Sequence, residues 1–282
     1  MKNYILILFS FLFCLNINAQ DADFDSNSVG LNLGNYMFKG KSNDLPRKYI
    51  GVSILFGPRS IDTDPGVITT RFVDESPSMD NFTGTTEVLD KYSQFGLAIN
   101  FHFGRYQGLS HSIFFDINFG DAYSYIFGYS IGYSIPIALG DSYLHIRPAL
   151  GLMVGNQGFK LGELDNNAGY IEINGNQYFG SYLNMDLKTQ SFLYGPQLDL
   201  RYFISDNFNI HGNVAYDIGS QDGVPSLYFT SPSTADETFN AEKEINTDNP
   251  YVDYNGEKLE KLPYNIGGLR FGIGVGYIWN KD

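Results

Sequence analysis

The sequence predicts an all-β chain that closes into an eight-stranded antiparallel up-and-down transmembrane β-barrel with long extracellular loops. Three observations predict it. The first is the last stretch, NIGGLRFGIGVGYIWN, where Leu269, Phe271, Ile273, Val275, Tyr277 and Trp279 alternate with Arg270, Gly272, Gly274, Gly276 and Ile278. Successive strand side chains point to opposite faces, so one face is apolar and ends in two aromatics. The other is mostly glycine. A lipid-facing barrel strand needs about ten residues with an apolar outer face and aromatics at the membrane interface. The second observation is composition: 23 Phe, 21 Tyr and 31 Gly accompany a mean hydropathy of only −0.18. Barrels look moderately hydrophobic because half of each strand faces inward. The third is a rhythm of long and short connections between alternating segments.

The elements follow in order. Residues 1–19 read as a secretory signal peptide: Lys2, an apolar run over 5–15, and Ala19 before Gln20. Bulky Phe13 before Cys14 argues against a lipoprotein signal, so cleavage is expected after Ala19. Cys14, the only cysteine, would leave with that segment, excluding a disulfide, a zinc thiolate site or a cysteine nucleophile. Residues 20–47 read as an N-terminal periplasmic extension, with a short strand or plug over 29–33. The barrel domain is expected over 48–282.

Eight alternating segments fill that domain. The first, Ile50, Val52, Ile54 and Phe56, is expected to end at Pro58. A polar loop over 59–91 precedes the second, from Phe95 to Phe103. The third puts Ile113, Phe115, Ile117 and Phe119 outward. The fourth, running from Tyr123 to Ile137, is the cleanest, and the fifth runs from Leu144 to Val154. A second long loop, 156–188, carries Asn174-Gly175, a two-residue hairpin signal expected to extend the sheet beyond the membrane. The sixth and seventh segments, 192–204 and 208–218, flank the minimal turn Ser205-Asp206-Asn207. A third long loop, 219–264, is acidic and expected to be a solvated surface. Loops after the first, fifth and seventh strands are long, and those after the second, fourth and sixth are short. That places both chain ends on the periplasmic side. The tight turn after the third strand is the exception. The last strand is expected to seal against residues 49–56 rather than 29–33.

These features resemble the small outer-membrane β-barrel proteins common in Bacteroidota, the porin-like or PorT-like barrels. The resemblance is carried by the export signal, the stretches 143–155 and 194–216, and the glycine-rich aromatic closing strand. YGPQLDLRYFISDNFNIHGNVAY looks like the hairpin near the end of such barrels. It covers residues 49–280 as pattern and composition, and implies a cell outer-membrane location and barrel-assembly machinery as a partner. Members have diverse roles, so no catalytic residue carries over. Many such barrels end on an aromatic, whereas Asn280-Lys281-Asp282 follow Trp279 here.

The inward polar set is His102, Asp116, Asn118, His145, Arg147, Gln197, Asp199, Arg201, His211, Asp217 and Arg270. Buried charges must be paired, because desolvating a lone one costs several kcal/mol. Three arginines and three aspartates are therefore expected to form an ion-pair network plugging the barrel. The alternative is a narrow polar channel, making the protein a small pore or a transport or secretion-complex component. Membrane-interface aromatics are expected at Tyr123, Tyr125, Tyr133, Phe192, Tyr194, Tyr202, Tyr277 and Trp279. A hydrolase of the lipid A type would draw on His102, His145, His211, Ser112, Ser130, Ser134 and Asp116. The histidines fall on inward faces away from lipid, so no enzyme is expected. Asp62-Thr63-Asp64-Pro65-Gly66 and Asp165-Asn166-Asn167 lack the spaced ligands of a calcium loop, and no metal or cofactor is expected.

The net charge of −13, −14 without Lys2, argues against nucleic acid. Acidic residues concentrate at Asp236, Glu237, Glu242, Glu244, Asp248, Asp253, Glu257 and Glu260. They favour cations, basic ligands or lipopolysaccharide bridged by divalent ions. Outer-membrane lipid, and a protein partner at the loops or the N-terminal extension, complete the expected contacts.

Overall fold

The computed structural model describes residues 48–73, 75, 81–139, 142–167, 169–246 and 249–281. The signal peptide, the 20–47 extension and its 29–33 strand lie outside these residues. The described strands are β1 (Lys48–Asp62), β2 (Gly66–Val73), β3 (Asn81–Val88), β4 (Lys91–Arg105), β5 (Gly108–Phe119), β6 (Ala122–Leu139) and β7 (Ser142–Asp165). They continue with β8 (Ile171–Ile173), β9 (Asn176–Tyr178), β10 (Tyr182–Phe203), β11 (Phe208–Thr230), β12 (Asn240–Glu244), β13 (Tyr251–Tyr254), β14 (Glu257–Lys258) and β15 (Gly268–Lys281).

Eight of them close a ring. Hydrogen-bonded ladders run β1–β4–β5–β6–β7–β10–β11–β15 and back to β1, all antiparallel. The seam is as read from the alternation: Val52 faces Tyr277 and Phe56 faces Ile273. Closure abolishes sheet edges, which is what lets strands cross a bilayer. Outward residues form an exposed apolar belt, among them Phe101, Phe127, Leu152, Ile210, Ile273 and Val275. On β4 the belt covers 95–103 and on β15 269–279, about 9–11 residues that match a tilted membrane crossing.

Three expectations are corrected. The segments 59–91, 156–188 and 219–264 are not irregular loops. β1 and β4 stay paired up to Asp62 and Lys91, and β7, β10 and β11 reach 24, 22 and 23 residues. They run well past the belt and carry a cap. There β2, β3, β13 and β14 form their own four-stranded sheet, and β12 pairs with β11. The cap exists because these segments hold apolar side chains with no lipid to face. Phe72 packs on Phe229 with ring centroids 4.8 Å apart, and Ile68, Ile171, Tyr178, Leu187 and Val252 join the same buried cluster.

The Asn174-Gly175 turn forms, with φ of 54° and 73°, the two positive values of the expected hairpin turn. Its strands, however, make a separate two-stranded sheet instead of extending the barrel. A β-branched residue at the second position is strained by about 1–2 kcal/mol. Gly175→Val is therefore expected to speed hydrogen exchange in β8 and β9 while leaving the barrel strands protected.

The acidic third segment is only partly a solvated surface. Asp236, Glu237, Glu242, Glu244, Glu257 and Glu260 are exposed, whereas Asp253 is buried and Asp248 lies outside the described residues. Asp253 accepts from the Gly256 N–H at 3.1 Å and lies 3.8 Å from Arg71. Between these acids, Phe239, Ile245, Leu259 and Leu262 are buried in the cap.

Candidate functional site

The site is the lumen. Every residue of the inward polar set is buried, from His211 to Arg270. Strand periodicity puts them there, because each shares its parity with the inward glycines and serines of its own strand. The structure sorts them into two groups along the barrel axis.

The group towards the chain termini centres on Asp199. Arg147 Nη1 donates to its Oδ2 at 2.6 Å, while Asn213 Nδ2 and His211 Nε2 approach Oδ1 at 2.8 and 3.1 Å. Arg147 also donates to the Ser110 and Ser130 hydroxyls, at 2.9 and 3.2 Å. Among the described residues, Arg201 has no carboxylate within ion-pair distance. It donates to His102 Nδ1 at 2.7 Å and to the Tyr49 hydroxyl at 3.2 Å. A guanidinium only donates, so Nδ1 is the acceptor and His102 is a neutral imidazole. Its Nε2–H then serves Ser53 Oγ at 3.2 Å.

The group towards the cap joins Arg270, Asp217 and Asp116. Arg270 Nε donates to Asp217 at 3.2 Å, and Nη1 donates to Asp116 at 3.4 Å. Sequence reasoning missed the fourth arginine here. Arg59 donates to Asp217 Oδ2 at 3.3 Å and to the carbonyl of Ile266, and it faces Arg270 across the seam. Its parity with Gly51, Ser53, Leu55 and Gly57 was the available signal.

Asn118 donates to Ser124 at 3.1 Å, outside both groups. The structure does not bring His145 or Gln197 into either network. His145 packs between Tyr106 and Phe203, with neither ring nitrogen hydrogen-bonded. Of the hydrolase candidates, Ser112 and Ser134 are buried, and Ser134 donates to Ser110. Among the described residues no cluster of three His, Cys, Asp or Glu could hold a metal.

Apolar groups bound the polar core at both ends. Tyr49, Tyr106, Phe203 and Ile278 cluster at the terminal end. At the cap end, the strap of residues 259–267 crosses the mouth. Tyr264 donates to the Gly158 carbonyl at 2.6 Å, and the Ile266 N–H donates to Gln157 at 3.1 Å. Leu259, Leu262 and Ile266 are buried beneath the cap.

The interface aromatics lie in two tiers on the outer surface. Tyr123, Tyr125, Phe192 and Tyr194 sit towards the cap. Tyr133, Tyr202, Tyr277 and Trp279 sit towards the termini, where Tyr277 and Trp279 meet edge-on at 4.9 Å. Tyr125, Phe192, Tyr194, Tyr202 and Trp279 are exposed; the other three are half-buried.

In the cap, Lys243 Nζ bonds the Glu75 carboxylate, which holds that carboxyl below its ordinary range. A carboxyl lower in the folded state stabilises above its unfolded pKa and loses that contribution as pH falls. Lys243→Gln is expected to flatten the acid-side decline in the cap's protease resistance, a small effect for a partly exposed pair.

The closed ring, its lipid-facing belt and its polar core define an integral membrane β-barrel of eight strands. Among solved structures, the chain is similar to Neisserial surface protein A, at 11% identity over 83% of this chain and 97% of that one, with a TM-score of 0.33. It is also similar to the outer membrane protein OprG from Pseudomonas aeruginosa, at 13% identity over 84% and 98%, TM-score 0.30. A third is Ail, the attachment invasion locus protein of Yersinia pestis solved with sucrose octasulfate, at 12% over 83% and 99%, TM-score 0.28. No family model matches the chain, and no curated protein matches it in sequence. The fold assignment rests on the hydrogen-bond ring described above.

Proposed function

We propose that this is a non-enzymatic outer-membrane barrel of the Bacteroidota porin-like or PorT-like type. In this reading its lumen is sealed, and its acidic cap is held outside the membrane for surface interaction or envelope support. One observation carries the proposal. Two ion-pair groups span the interior, with an apolar cluster beyond one and the 259–267 strap beyond the other. A water column needs a continuous polar path, and both ends interrupt it. The signal-like residues 1–19 and the length of the apolar belt support export to a bilayer. The buried Ser53–His102 pair supports the non-enzymatic reading, since its remaining imidazole nitrogen meets an arginine where a triad needs an acid. The exposed acids of the cap favour basic ligands, or lipopolysaccharide phosphates through divalent cations.

Planar-bilayer recording tests the sealed lumen. Purified protein is expected to insert without steady conductance; reproducible unitary steps would transfer the assignment to a small pore.

A further inference from the structure

We propose that the barrel holds an anionic phospholipid of the leaflet at its terminal end, with the phosphate headgroup seated on a row of cations across β15, β1 and β4. The ladders set the row. Lys48 on β1 stands opposite Lys281 on β15 and opposite Arg105 on β4. Lys48 and Arg105 are exposed, and each lies two residues beyond the end of the apolar belt, at Ile50 and Phe103, so both share the lipid-facing parity. Neighbouring strands lie about 5 Å apart, so the three positions span about 10 Å of the rim. Like charges directly opposite one another destabilise a sheet, and an anion seated among them reverses the sign.

No described carboxylate supplies that charge. Among the described residues neither Lys48 nor Arg105 makes an ion pair. The sole carboxylate described at this end outside the lumen is Asp206, in the turn between β10 and β11, with β15 between it and β1. The cap end differs. There Lys160 lies 3.8 Å from Asp121, Lys188 stands 4.3 Å over the ring of Tyr228, and Lys91 faces Asp62 across the β1–β4 ladder. The cations of the terminal rim are thus left for something outside the chain, and depth says what. A strand rises about 3.3 Å per residue, so the row lies about 7 Å along the strands past the belt. That is the headgroup layer. One rung inward, Trp279, Ile50 and Phe103 are aligned and exposed, a platform for the acyl chains of the same molecule. A phosphate above an apolar platform is the chemistry of a phospholipid, and the positive row selects the anionic kind.

The lipid site is independent of the sealed lumen. Trp279, the only tryptophan, reports on it directly. Full-length mature protein is placed in phosphatidylcholine vesicles doped with either phosphatidylglycerol or phosphatidylcholine brominated on the acyl chains, and quenching of Trp279 is read against mole fraction. A basic residue at an anionic surface is worth about fivefold in affinity, so brominated phosphatidylglycerol is expected to half-quench at no more than about one fifth of the mole fraction that brominated phosphatidylcholine needs. Lys48→Gln with Arg105→Gln is expected to erase most of that preference, whereas Lys160→Gln with Lys188→Gln is expected to leave it intact. Heat-modifiable migration on gels shows that each variant is a folded barrel. Equal quenching by the two lipids overturns the proposal, as does a preference undiminished by the loss of Lys48 and Arg105. Loss of the preference to millimolar inorganic phosphate at constant ionic strength would assign the row to a free anion and overturn the lipid.

Discussion

Asp199→Ala is expected to destabilise the folded barrel by about 3–5 kcal/mol, the cost of stranding a buried charge. Among the described residues, Asp199 is the only carboxylate that Arg147 reaches, and it also takes His211 and Asn213. Without it, Arg147 keeps its bonds to Ser110 and Ser130 but no counter-charge. Arg147→Ala should cost a similar amount for the complementary reason. The double variant should lose distinctly less than the two singles together, because neither charge is then stranded. Urea unfolding in lipid vesicles reads all three. Simple additivity would show that the two residues do not act as a pair.

Gly274→Val should abolish barrel closure. Gly274 lies in β15 opposite Leu55, and a β-carbon there would overlap the backbone carbonyl of Ile54. The obstacle is backbone held in the seam ladder, which cannot rotate away as a side chain can. The cost is expected to exceed the about 1–3 kcal/mol usual for overpacking. Gly212→Ala in the neighbouring strand is the control. Its β-carbon would have only Leu200 nearby, at 3.9 Å, so a change within about 0.5 kcal/mol is expected. Heat-modifiable migration on gels distinguishes a closed barrel from an open chain. A fully folded Gly274→Val barrel would contradict the geometry of the seam.

The wall was legible in the sequence because its signal is local. Alternation within each segment marks inside from outside, and the partner of the closing strand, 49–56, followed from a closed set of eight with its long loops on one side. Arg59 escaped because proline usually ends a strand. Here the β1–β15 ladder skips two rungs, from Phe56–Ile273 to Arg59–Arg270, while the β4 side stays continuous through Pro58. Losing one N–H weakens one edge of the strand and does not stop it. The cap escaped for a different reason. Phe72, Tyr178 and Phe229 lie on three separate outer connections and meet only in three dimensions, so no periodicity within any one of them announces a core. Within the lumen, parity gave the inward list but not the partners. That Asp217 serves two arginines, and Arg201 none of the aspartates, depends on how strands far apart in the chain align around the ring.

The strap has a consequence for the order in which the molecule is made. Residues 259–267 lead straight into β15, and the Arg59–Ile266 bond crosses the seam that β15 forms with β1. Arg270, also on β15, reaches across to Asp116 on β5. None of these contacts can exist while the last strand is unpaired. Sealing the wall and pairing the upper charges thus depend on the same strand. A barrel with β15 unpaired would leave Arg270, and with it part of the charge pairing of Asp116 and Asp217, open.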